Sequence, residues 1–479
     1  MRSLNSNKSV FLVVLALFMV FIAAFGVQAE DEPVKLTVIG DAGHNQKPFE
    51  WYKDEILEKF NVKLSIEGVP FASVYEKEKL EFVSHTGAYD IITFYPKLLG
   101  DYAKNQHIIP LDEYNEKLSL ELDDVAAGFR EFYTKFQGKI YAAPYDGDVL
   151  MLYYRKDLFH HEDEQQAFME KFGYELQPPE TWKQFEDIAE FFTREKGEKL
   201  AGETVSEDFY GAASYGNRDW LWAWWLNRFA AYGGKYFDPE TMDPLLDSEA
   251  GFQATRDLIQ VSEYFPPNYL ALGYEELKNV FLNGDTAMVI QWADVGKKAA
   301  DPEQSQVVGK VGYSHVPGVE KNGEVYWRAA MPCGRVLGVN ADSDHPWKAY
   351  QVIQYVSVET SLNDVSTPKT GLDPYRLSHL NKPEEYEMFP SNEQAQRYLD
   401  AVKTNLQRGY PEPLMPGANQ YETSLSAEIQ KAIQGKKSPE KAMNDAAKEW
   451  ENITKRFGLS AQKEIYQKLV ESWEEAGLW

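Results

Sequence analysis

VKLTVIGDAGHNQKPFEWYKDEILEKFNVKLSIEGV, residues 34–69, decides the fold. Its first seven residues alternate apolar and polar side chains, the period of a half-buried strand. Over residues 48–60 the period changes. Phe49, Tyr52, Ile56 and Phe60 recur at helical spacing and predict one continuous helix. The run VKLSIEGV returns to a strand, a helix is expected around residues 74–84, and YDIITFY, residues 89–95, reads as a buried strand. Strand, helix, strand, helix, strand is the order of a parallel sheet with crossover helices, so the fold class is α/β. Ligands of such sheets sit beyond the carboxyl ends of the strands, which points to the loops after Gly40 and Phe94.

Outward from this segment the signals remain local. In PPETWKQFEDIAEFF, Thr181 and Gln184 have the spacing of a capping box, with Phe185, Ile188 and Phe192 on one face. Ser438-Pro439 opens another helix that turns Met443, Ala446, Ala447, Trp450 and Phe457 inward. No Gly/Ser/Pro linker divides the chain, so two domains in a chain of this length are expected to interleave. At the start, Arg2 and Lys8 precede an apolar run and Val27-Gln28-Ala29, the pattern of a secretory signal peptide over residues 1–29, cut after Ala29. No cysteine adjoins that site for a lipid anchor. The single cysteine, Cys333, rules out a disulfide framework and cysteine-based zinc sites. The net charge of −26 becomes −28 once the two basic residues of 1–29 are removed, which repels nucleic acid and anionic lipid.

Two stretches carry candidate chemistry. GNRDWLWAWWLNRFAAYGG, residues 216–234, packs four of the twelve tryptophans between Asn217, Arg218, Asp219, Asn227 and Arg228. Flat rings beside short hydrogen-bonding groups suit a sugar, whose C–H face stacks while its hydroxyls are bonded. The competing reading is a helix core, with Trp220 and Trp224 on one face and Trp222 and Trp225 on another. In PYDGDVLMLYYRKDLF, residues 144–159, Asp146 and Asp148 point the same way across Gly147 in extended chain. They can accept hydrogen bonds from a ligand, form a turn, or act as an acid/base pair. The chain lacks a P-loop and HExxH, and Ser214 in GAASYG misses the nucleophile-elbow spacing. His160-His161 before three acidic residues reads as a solvated loop rather than a metal patch, and Asn452-Ile453-Thr454 as a sequon within a helix.

PYDGDVLMLYYRKDLF, PPETWKQFEDIAEFF, FLNGDTAMVIQWAD and GVNADSDHPWKAYQVIQYVS, in that order and followed by LMPGANQY, resemble the family 1 extracellular solute-binding proteins of ABC sugar importers. The resemblance implies a type II two-lobed clamshell with interleaved lobes and a three-crossing hinge. It implies an N-lobe over 33–144 plus 287–344 and a C-lobe over 147–284 plus 347–479. The crossings fall near residues 145–147, 284–286 and 344–347. By matching positions it also implies ligand contacts from Phe94, Tyr95, Lys97, Asp146, Asp148, Asn217, Asp219, Trp220, Trp224, Trp292, Asp294 and Tyr421. Arg335 and Trp327 are added from the loop around Cys333. The function implied is a monomeric periplasmic carbohydrate receptor that serves membrane permease subunits, with no catalysis, cofactor or metal. A secreted carbohydrate-active enzyme using Asp146 and Asp148, and the same fold binding a polyamine, stay open as alternatives.

Overall fold

The computed structural model describes residues 32–70, 73–331 and 334–477. Nine strands build two sheets: β1 (Val34–Asp41), β2 (Val62–Val69), β3 (Ile91–Phe94), β4 (Ala143–Asp146), β5 (Leu150–Arg155), β6 (Tyr210–Ala213), β7 (Thr286–Trp292), β8 (Val311–Ser314) and β9 (Arg335–Val339). The first sheet has the order β2-β1-β3-β9-β4 and the second β6-β7-β5-β8. β1 runs parallel to β2 in unbroken register from Val34 opposite Val62 to Asp41 opposite Val69, and parallel to β3. β9 returns antiparallel to both β3 and β4. All seven residues of β7 are buried, as expected of a strand with both faces covered.

The local signals of the sequence translate into these elements with two adjustments. The helix expected over 48–60 is interrupted at Tyr52, leaving Lys47–Trp51 and α1 (Lys53–Phe60). There the Tyr52 hydroxyl donates to Asp364 at 2.8 Å, a tertiary bond that periodicity cannot show. The strand expected over 89–95 is trimmed to Ile91–Phe94. α2 occupies Val74–Ser84. α3 (Trp182–Phe192) has its capping box: the Gln184 amide donates to Thr181 Oγ1 at 3.2 Å, and the Thr181 amide to Gln184 Oε1 at 3.1 Å. α4 (Leu221–Ala231) is buried along its whole length. Trp224 Nε1 donates to the Ile290 carbonyl at 2.7 Å, and Trp225 Nε1 to Thr255 at 2.9 Å. Core is thus the main role of this tryptophan cluster. The ring N–H groups of Trp224 and Trp225 find partners inside it, as buried tryptophans usually do.

The routing between the sheets differs from the expectation in two places. β4 ends in the first sheet at Asp146 and β5 starts in the second at Leu150, so residues 147–149 cross. Residues 287–344 were expected to return to the first lobe. Instead Met288 and Gly312 both pair with Tyr154 of β5, so β7 and β8 belong to the second sheet. The chain reaches the first sheet again only at β9. The third crossing also comes later than residues 344–347. α5 (Tyr274–Leu282) and α6 (Asp294–Ala300) precede this region; α7 (Pro346–Gln354) packs on β9 and α1. Lys348 Nζ donates to the Phe60 carbonyl, Tyr350 to Leu118 and Ser357 to Pro144, each at 2.6 Å, all on the first-sheet side. From α8 (Asn392–Gln407) through α9 (Ala418–Ile433), α10 (Pro439–Phe457) and α11 (Leu459–Glu475), the chain covers mainly the second sheet and α4. Main-chain ladders, not local patterns, decide these assignments.

Among the described residues no helix is long and apolar enough to cross a membrane. The signal sequence read over residues 1–29 lies outside the described residues, as does Cys333. Gly211 on β6 is pressed against α3, where an added Cβ would stand 1.7 Å from the Ala189 carbonyl oxygen. Gly211→Ala is therefore expected to destabilise the protein by about 1–3 kcal/mol or more, read as a lowered urea midpoint with an unchanged slope.

Candidate functional site

A cavity of about 410 Å³ opens between the two sheets. The first-sheet side contributes Asp41, at the carboxyl end of β1, and Asn45 just beyond it. Asp146 ends β4, Asp148 lies in the first crossing, and Arg335 opens β9. The opposite wall comes from Tyr215, Asn217 and Asp219 after β6, Tyr274 at the start of α5, Trp292 at the end of β7 and Asp294 at the start of α6. Four of these positions are strand ends, where side chains leave the core and face a crevice.

The electrostatic centre is Arg335. Its guanidinium donates to both Asp41 oxygens, at 2.8 and 3.1 Å, and to the Gly334 carbonyl at 2.7 Å. It also lies 4.3 Å from the centroid of the Tyr95 ring. Burial pushes the Asp41 carboxyl up, but Arg335 and Asn45 overcome this and hold it below the usual range. Three acids nearby fare differently. Asp146, Asp148 and Asp373 bring carboxylate oxygens within 4.8 Å of one another. Asp146 accepts the Asp373 amide at 2.7 Å, Asp148 the Gly334 amide at 2.8 Å, and Asp373 the Asp294 amide at 2.9 Å. Burial raises all three. Like charge adds to it: Asp148 acts on Asp146, and Asp294 on Asp148 and Asp373. Asp148 titrates at about 6, and Asp146 and Asp373 are well above the ordinary carboxylate. Buried Lys297, which donates to the Val365 and Leu372 carbonyls at 2.8 and 2.5 Å, offsets part of this charge.

An aromatic wall faces these acids. Trp292 stands edge-on to Tyr215, with ring centres 6.0 Å apart at 86°, and tilted to Tyr274 at 5.7 Å and 58°. Behind it Trp224 stacks on Tyr215 at 4.4 Å and meets Trp292 at 4.9 Å, perpendicular. The buried helix α4 thus acts as the backing of the wall.

The structure brings Asp146, Asp148, Asn217, Asp219, Trp292, Asp294 and Arg335 together around the cavity. It does not bring the other candidates there. Phe94 is fully buried on β3 and packs on Tyr102. Tyr95 lies beneath Arg335. Lys97 donates to Glu422 of α9 at 2.6 Å in a buried ion pair, with its ammonium 4.2 Å from the Trp220 ring centre. Trp220 and Trp224 support the wall without lining it. Tyr421 faces inward on α9, 2.8 Å from Thr454 Oγ1. Trp327 stacks on His315 at 4.4 Å, away from the cavity. Asp41, Asn45, Tyr215, Tyr274, Glu275 and Glu276 line the cavity and escape a residue-level reading. The strand-end rule marks the loop after Gly40, which holds Asp41 and Asn45. Nothing local marks the start of α5.

Two α/β halves with a ligand-sized cavity where the chain passes between them define a class of cleft-binding receptors. The chain belongs to the bacterial extracellular solute-binding proteins, whose family model matches residues 42–359. A probable amino-acid ABC transporter periplasmic-binding protein of Sinorhizobium fredii is 25% identical over 413 residues, covering 84% of this chain and 85% of that protein. A solute-binding protein of Agrobacterium radiobacter K84, solved with ribitol, superposes with a TM-score of 0.72 at 21% identity, covering 88% of this chain and 98% of its own. Maltose-bound MalE3 of T. maritima gives 0.71 at 19%, covering 88% and 100%.

The acid cluster makes stability pH-dependent. Between the ordinary aspartate value of 3.8 and about 6, the folded protein keeps a proton on Asp148 that the unfolded chain has lost. That stability is present at the lower pH and lost as pH rises through about 6. Asp41 acts in the opposite sense, but below this window, because its folded value is depressed. The melting temperature should therefore rise as pH falls from about 7 to about 5. Asp148→Asn should flatten this rise and stabilise the protein near pH 7 by about 1–3 kcal/mol.

Proposed function

We propose that this protein is an exported receptor for a sugar or polyol, which it holds between two lobes and presents to the permease of an ABC importer. The observation that carries this reading is one cavity in which the Trp292 and Tyr215 rings stand beside Asn217 and Asp219, with Asp146 and Asp148 across from them. A ring covers a C–H face while carboxylates and an amide take hydroxyl protons. The ribitol and maltose held by the two structural relatives support the ligand class. The lobes are taken as residues 32–146 with 335–377, and 150–331 with 392–477. Closing one on the other buries the ligand, and the permease reads the closed population. Residues 1–29 act as the export signal, and the receptor works as a monomer in the periplasm.

Binding here proceeds without turnover. The Asp146 and Asp148 carboxyls are each tied to a main-chain amide, the Asp373 amide and the Gly334 amide, rather than left free for proton transfer. The test is intrinsic tryptophan fluorescence titrated with neutral and amino sugars and polyols, with chromatography of the same samples for breakdown. Saturable change with one sugar or polyol class and no breakdown is expected. Breakdown products would transfer the case to a hydrolase, and binding confined to non-carbohydrate solutes would sink the ligand class. Trp292→Ala should weaken the bound ligand by roughly 10- to 100-fold, the loss of one stacking ring, with the fold retained in circular dichroism.

A further inference from the structure

The cavity wall carries more acidic side chains than it has cations bonded to them. Of its charged residues, Asp41 is matched by Arg335, Asp294 by Lys298 of α6, and Glu275 by Lys278 of α5. Four acids remain. Their hydrogen-bond donors are neutral: the Asp373 amide for Asp146, the Gly334 amide for Asp148, Tyr215 and the Trp220 amide for Asp219, and the Gly273 amide for Glu276. Arg335 lowers the field at Asp146 and Asp148 without bonding either in the contacts described. Trp292 stands beside the same space, edge-on to Tyr215 and tilted to Tyr274; Trp224 stacks on Tyr215, and the Lys278 and Lys298 ammoniums each lie 5.2 Å from the Tyr274 ring centre. Asn45, 4% exposed, lines the same cavity and holds its Oδ1 without a donor among the described residues.

Resting on the sugar-or-polyol reading above, we propose that the preferred ligand carries an ammonium group, as an amino sugar or aminated polyol. A neutral sugar satisfies hydroxyl-binding groups but leaves Asp219 and Glu276 without a bonded cation and Asp146 and Asp148 held against ionisation by burial. An acidic sugar adds further negative charge. An ammonium supplies a positive charge that favours the ionised form of these four carboxyls, three donors for them and the Asn45 carbonyl, and a cation beside the Trp292 ring. The remaining hydroxyls keep the contacts that the sugar reading assigns.

Matched pairs test this on the purified protein by calorimetry near neutral pH. Glucose, mannose and galactose are set against their 2-amino-2-deoxy forms, and glucitol against 1-amino-1-deoxyglucitol. Putrescine, leucine and calcium chloride alone complete the panel. In the pair that binds, the amine is expected to be tighter by on the order of tenfold or more, with an advantage that shrinks as salt is raised. Asp219→Asn and Glu276→Gln, both at exposed positions, should narrow the gap by weakening the amine more than its neutral partner. A neutral member that binds as well as its amine overturns the ammonium inference and leaves the sugar-or-polyol reading intact. Binding of putrescine, leucine or calcium with none of the sugars or polyols overturns both, and so does silence across the whole panel.

Discussion

The bidentate contact between Arg335 and Asp41 is the interaction on which the site depends. Asp41 ends β1 and Arg335 begins β9, so the pair joins the carboxyl end of the first sheet to the strand by which the chain returns. The adjoining Gly334 amide fixes Asp148, and so the first and second crossings are held to each other. Both partners are buried, and removing either strands the other charge, a loss of about 3–5 kcal/mol in comparable pairs. The guanidinium has little left to offer the remaining acids. Burial, with like charge added to it, makes Asp146, Asp148 and Asp373 resist ionisation side by side, and Arg335 offsets this only in part at Asp146 and Asp148. Such a concentration of unfavourable charge where two halves meet is characteristic of a site that gives up stability for binding.

The opposite wall is organised by packing rather than charge. α4 is buried on all sides, and its tryptophans are locked by Ile290, Thr255 and neighbouring rings. Trp224 sets both Tyr215 and Trp292 from behind, so the two rings that face the cavity have little freedom to lose when a ligand stacks on them. The halves also touch away from the cavity. Lys97, just after β3, reaches Glu422 on α9 in an ion pair with almost no exposure, over the face of Trp220. In the proposed opening of the cleft that pair would be broken or exposed, which would make it part of the free-energy difference between the two forms.

Much of the fold was legible because its signals are local. The capping box at Thr181 and Gln184, Ser438-Pro439 ahead of α10, and the switch of period between 34–41 and 53–60 each depend on neighbours within one turn or a few strand residues. Where a distant partner intervenes, the reading fails in detail, as at Tyr52, whose bond to Asp364 coincides with a break in the helix. The site was half legible. The acids around Gly147 and the Asn217–Asp219 pair stood out by residue type, and Trp292 and Asp294 came only through the family resemblance. Tyr421 and Trp224 have the same composition as binding residues but point into the core.

The sequence by itself determined the α/β class, the helix caps, the three parallel strands β1 to β3 and the acidic, aromatic chemistry of the cavity. Those properties follow from residue type and short-range periodicity. Only the tertiary structure decided that β7 and β8 complete the second sheet, that α7 covers the first, and that Asp41, Asn45, Tyr274 and Asp373 join one cavity or its edge. A strand's sheet is chosen by the main-chain ladder it completes, and every backbone group offers the same donor and acceptor. Side-chain patterns within a segment therefore cannot name a partner hundreds of residues away.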